Sequence, residues 1–159
     1  FYFLFRMSHW HGYNSTVLCS ELYHQGILSE DLYKADCEVT SKKYSNTLMY
    51  AGYLLFAYWP LWLLRNKKTF AKKYMHHIII DWAEYLAYQN GTLKRENKIG
   101  KSILYFGIIF LPLIGLLSKI TNNDIYNKAI STICFVISFP PLLGYSILVK
   151  KLKEIKLWG

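Results

Sequence analysis

The chain has 159 residues, enough for one domain, with 53% hydrophobic and 18% aromatic residues and a formal net charge of +9. A mean composition of this kind suits a soluble core or a membrane protein equally, so the distribution of apolar residues decides the class. The basic residues flank apolar runs and form no groove-reading motif, which argues against nucleic acid as their partner.

Residues 1–44 form an aromatic arm of mixed charge. Its opening, FYFLFRM, is too short for the apolar core of a secretory signal, which leaves room for a targeting segment ahead of it. In SHWHG, His9 and His11 share a face of an extended strand, a spacing open to a metal, with head-group hydrogen bonds among its more ordinary explanations. Asn14 or Ser15 caps a short helix running to Tyr23 or His24, which Gly26 ends. Ser29, with Glu30 and Asp31 in the first turn, caps a second helix reaching about Thr40. In the resulting antiparallel hairpin Cys19 and Cys37 fall at similar heights, so a disulfide is geometrically open to them; two half-buried thiols are the competing expectation.

Ser45 to Leu64 is a charge-free run long enough for bilayer hydrocarbon, and it ends at Arg65, Lys67, Lys68, Lys72 and Lys73. This is the first expected transmembrane helix, 45–64. The segment 65–101 reads as a basic inner-side loop in which Phe70, Tyr74, Ile78, Trp82 and Tyr85 recur at helical spacing, as for an amphipathic helix on the membrane surface, ended by Asn90-Gly91. KRENKIGK, 94–101, reads as a polar linker. A second span is expected at 102–120, a short outer turn at 121–128, a third span at 129–149 and a basic tail at 150–159.

The expected fold is therefore all-α: an integral membrane protein with three transmembrane helices, an N-terminal helical hairpin cap and an interfacial amphipathic helix between spans one and two. Its rival is a soluble domain packing three all-round apolar helices. With three spans, residues 65–101 and the tail after Val149 share a side and hold thirteen Lys/Arg, against six on the other. The positive-inside bias puts the N-terminus outside, in the intermembrane space of a mitochondrion, and the C-terminus in the matrix, with the endoplasmic reticulum as the alternative. Gly107, Gly115 and Gly144 mark expected close helix approaches.

His77, Asp81 and Glu84 fall at i, i+4 and i+7 on one helical face, beside His76, residue types able to bind a metal or relay a proton. A surface helix needs a polar face in any case, and no second motif completes a coordination shell. Asn14 and Asn90 both head glycosylation tripeptides, on opposite sides in this topology. Cys134 reads as a packing residue. No span carries Asp, Glu, Lys, Arg or His in its interior, which speaks against ion transport and acid–base chemistry at membrane depth.

The expected function is that of a non-catalytic, supernumerary membrane subunit of a large complex, holding other membrane subunits together. Such small subunits are common in respiratory-chain complexes and the ATP synthase of the mitochondrial inner membrane. Arg65, Lys67, Lys68, Lys72, Lys73, Lys150 and Lys151 are the expected rim for anionic lipid, with cardiolipin the expected bound phospholipid and no other cofactor. The alternatives are a small endoplasmic-reticulum enzyme or lipid-handling protein using the His77, Asp81 and Glu84 helix, and a transport or insertion component built on kinked spans.

Overall fold

The computed structural model describes residues 16–66, 75–121 and 123–157, and every regular element in it is helical. Two helices build the hairpin: α1 (Val17–His24) and α2 (Glu30–Val39). Helix α1 ends because Gly26 takes φ 68°, which lets Gly26 N–H bond Tyr23 O at 2.9 Å and Ile27 N–H bond Leu22 O at 2.9 Å, closing the orphan carbonyls. Ser29 starts α2 by accepting from Leu32 N–H, with Glu30 and Asp31 beside the positive helix end. A π-helical turn, Thr40–Tyr44, leads on to α3 (Leu48–Asn66), where the Thr47 hydroxyl accepts from Tyr50 N–H at 3.2 Å.

Helix α4 (His76–Gln89) ends at Gly91, φ 81°, through the same pair of closing bonds. The long helices α5 (Lys98–Thr121) and α6 (Asp124–Leu157) follow, and the short turn between them makes them antiparallel neighbours. Both overrun the spans expected from apolar content, 102–120 and 129–149. Asn97 and Asn123 set their starts: Asn97 Oδ1 accepts from the Ile99 and Gly100 N–H groups, and Asn123 Oδ1 from Ile125 N–H. Pro60, Pro112, Pro140 and Pro141 all stay inside helices.

Helix α3 is the hub. One apolar cluster joins it to α1 and α4 through Leu22, Leu54, Leu61, Leu64, Met75 and Ile79, and another joins it to α4 and α5 through Met49, Leu55, Tyr85, Leu104, Leu111 and Ile114. Against α5 it packs backbone to backbone. Gly52 lies on the Leu111 carbonyl and Gly115 on the Leu48 carbonyl, so the two helices run antiparallel with no room for a side chain at either glycine. The expected approach at Gly115 is thus present. Gly107 has ordinary contacts, Gly144 has no atom within 4 Å, and the close contacts at Gly52 and Gly100 were not foreseen. Helix α6 adds Ser131, whose hydroxyl donates to Leu55 O at 2.6 Å, and Thr132, which accepts from the Trp59 indole at 2.9 Å.

The all-α expectation holds. Two expectations about sidedness do not. The hairpin was placed as an outer cap and α4 as an interfacial helix on the inner side, yet α2 and α4 pack directly on each other, and Asn90 Nδ2 donates to Glu38 Oε2 at 3.0 Å. Helix α1 lies along α3 between Tyr53 and Arg65: Leu18 N–H donates to Tyr53 Oη, Gln25 Nε2 to Leu64 O, and Glu21 pairs with Arg65. Elements in contact cannot stand on opposite faces of a bilayer. The count of thirteen cations against six presupposed that separation, so it loses its force. The apolar periodicity of α4 also has another cause: Ile79, Ala83, Tyr85 and Leu86 are buried against α1, α2, α3 and α5.

The described helices thus make two unlike sides. The hairpin and α4 cover α3 with a layer whose outer face carries Glu30, Asp31, Lys34, Glu38, Lys42 and Lys43. The other side is formed by α5 and α6.

Candidate functional site

Asp36 falls on the inward stripe of α2, one turn after Leu32 and one turn before Thr40. It is fully buried, and its carboxylate accepts from Thr16 N–H at 3.0 Å, from the Thr16 hydroxyl at 2.9 Å and from the Thr40 hydroxyl at 3.4 Å. Burial pushes its pKa up from 3.8 to about 6, against the hydrogen bonds from Thr16 and Thr40 and the nearby Trp82 side chain, which favour the anion. The Trp82 indole nitrogen is buried and makes no hydrogen bond of its own among the described residues. Asp36 therefore ties the start of α1 to α2 and the π turn.

Cys19 and Cys37 are both buried beside this network, as thiols not bonded to each other. The expected opening for a disulfide is not used in the structure. Burial, followed by the Asp36 charge, pushes the Cys19 thiol well above its ordinary pKa, the opposite of what a reactive cysteine needs.

The His77, Asp81 and Glu84 face resolves into a different arrangement. Asn97 Nδ2 donates to Asp81 Oδ1 at 2.9 Å and to Glu84 Oε2 at 2.6 Å, while Asn97 Oδ1 accepts from Ile99 and Gly100 N–H at 3.0 Å each. One side chain thus caps α5 and pins it to α4, and both carboxylates lie by the positive end of α5. The Gly100 backbone approaches Asp81 O closely enough to exclude a side chain. Asp81 is buried and Glu84 half-buried, where a solvated polar face was expected. The His77 ring lies tilted against that of His76, ring centroids 3.8 Å apart. Among the described residues no three His, Cys, Asp or Glu side chains converge as metal ligands would. Asn97→Ala is expected to cost about 1–2 kcal/mol and to speed hydrogen exchange at Ile99 and Gly100. Unchanged exchange at those amides would contradict the cap.

Of the expected lipid rim, Lys67, Lys68, Lys72 and Lys73 lie outside the described residues, as do His9, His11 and Asn14, and so does the Lys150 side chain. Lys151 is exposed. Arg65 Nε bonds Glu21 Oε2 at 2.9 Å in a half-buried pair, so it clamps α1 to the end of α3.

What remains is a surface. Helices α5 and α6 expose Ile109 at 72%, Leu113 at 58%, Ile120 at 72%, Ile125 at 77% and Ile137 at 64%, among many other large apolar side chains. Scattered exposed leucines are ordinary, but two adjacent helices bare along their length make a patch that water does not favour. Within the described residues one stretch, Lys98–Ile120, is long and apolar enough by itself to cross a membrane, and Ile125–Ser138 is a shorter apolar stretch. Helix α3, the first expected span, is instead covered on several sides by protein.

Asp36 and Asn97 were missed in the sequence. The phase of Leu32, Asp36 and Thr40 shows the first once α2 is fixed, and an Asn just before an apolar run signals the second. No protein-family model, curated protein or solved structure matches the chain.

Proposed function

We propose that the chain is a non-catalytic structural subunit of a larger membrane assembly, with α3, α5 and α6 at membrane level. The observation that carries this reading is the bare apolar face of α5 and α6, which needs lipid or the helices of neighbouring subunits against it. The hairpin and α4 shield α3 from lipid, and their charged outer face is the side offered to water or to polar partner surfaces. The polar groups inside the fold join helix to helix, which is the work of a scaffold. An energy-converting complex of the mitochondrial inner membrane is the proposed setting, and anionic lipid, cardiolipin in particular, the proposed companion of the exposed cations such as Lys151.

Gentle detergent extraction, a native gel and mass spectrometry of the band test this. Co-migration with a large complex is the expected result. A free particle of the chain's own size would overturn it.

A further inference from the structure

Between α1, α3, α4 and α5 the structure leaves a cavity of about 90 Å³. Its walls are almost wholly apolar, Leu18, Phe56, Met75, Ile79, Trp82 and Phe110 among them, with Thr16 and Tyr53 also in the lining. So little polar surface favours an apolar occupant over water, which needs two to four polar partners. The cavity is also far too small for a drug-sized ligand, which takes about 300 Å³ or more. A narrow, flexible, apolar object fits it.

Its position says where such an object comes from. Phe106 both lines the cavity and is 41% exposed, so the rim reaches the surface of α5. Ile109, next along that surface, belongs to the apolar face proposed to meet lipid. The cavity is thus a recess whose rim meets that apolar face. Gly107 forms part of the wall, and a Cβ there would meet Leu111 Cδ1 at 3.4 Å and Trp82 Cζ3 at 3.7 Å, ordinary contact distances.

We propose that this recess takes the end of one acyl chain of a membrane phospholipid, wedging it between α4 and α5. The inference rests on the membrane reading of α5 and α6. The bound chain fills a void at the meeting of four helices, so the lipid acts as a packing element of the fold.

The test uses the full chain in phosphatidylcholine vesicles containing a phospholipid with a terminal diazirine on one acyl chain, with carbene insertions mapped by mass spectrometry. Insertion is expected at Met75, Ile79 or Trp82 as well as on the surface residues Ile109 and Ile137. Gly107→Leu, which grows into the recess, is expected to cut the interior insertion about tenfold, as for the loss of roughly two buried methylene groups, with surface labelling unchanged. Gly107→Ala, which fits, keeps the interior labelling and controls for backbone effects. Surface labelling with a silent interior would overturn the acyl-chain site and leave the membrane reading intact. So would interior labelling that Gly107→Leu does not reduce, or a purified protein carrying only an isoprenoid lipid in the recess. An unlabelled α5 and α6 would overturn both.

Discussion

Gly52→Ala is expected to destabilise the protein by about 3 kcal/mol net, lowering its unfolding midpoint in detergent by about 6 to 12 °C. On an exposed helix the same change gains up to about 1 kcal/mol, because alanine loses less backbone freedom than glycine. Here the new Cβ would sit on the Leu111 carbonyl, a backbone atom that moves only if α5 moves. Separating α3 from α5 opens the cluster of Met49, Leu55, Leu111 and Ile114 along its length. Gly115→Ala should act alike, through the Leu48 carbonyl. The double variant should cost less than the sum, since a Cβ at either glycine also meets the other's backbone nitrogen and one separation serves both. Gly144→Ala, with no atom within 4 Å, is the control and should leave the midpoint unchanged or slightly raised. A neutral or stabilising Gly52→Ala would show that the helices do not meet at this distance.

Asp36→Ala is expected to cost about 2–4 kcal/mol, because the Thr16 amide and hydroxyl would lose their acceptor while staying buried. Asp36→Asn keeps an acceptor for Thr16 and removes the buried charge, so at pH 7.5 it should match the parent or exceed it. The pH dependence follows in sign. Asp36 titrates near 3.8 when unfolded and at about 6 when folded, so the folded form takes up a proton that the unfolded form does not. Its contribution is complete below about pH 4 and is lost as pH rises through about 6. From pH 7.5 down to pH 5 the parent should gain about 1 kcal/mol relative to Asp36→Asn. Equal slopes for parent and Asp36→Asn would remove Asp36 as the source.

The helix boundaries that depend on local chemistry were readable from the chain. Gly26, Ser29 and Asn90-Gly91 act through the backbone groups next to them, so sequence alone places them. Partnership between distant segments was not readable. The charge-free run at 45–64 looked like the strongest span, but an apolar helix meets the same demand whether lipid or protein surrounds it, and α3 is largely met by protein. Arg65 looked like the first cation of a lipid rim because Glu21, its partner, stands 44 positions away in sequence. The His77, Asp81 and Glu84 spacing was read correctly as one helical face, and what that face touches, Asn97, came from a stretch that read as linker. Apolar content also understated α5 and α6, whose capped first turns are polar.

The central claim is that α5 and α6 stand against hydrocarbon or neighbouring membrane helices. Single cysteines at Ile109, Leu113, Ile125 and Ile137, in a chain whose Cys19, Cys37 and Cys134 are replaced by Ala, put it to the test with a membrane-impermeant maleimide. In native membranes opened so that both faces are reached, these cysteines should stay unlabelled while one at Lys34 reacts, and denaturing detergent should make all of them react. Prompt labelling at Ile109 and Ile137 in the native membrane would place that face in water and contradict the account.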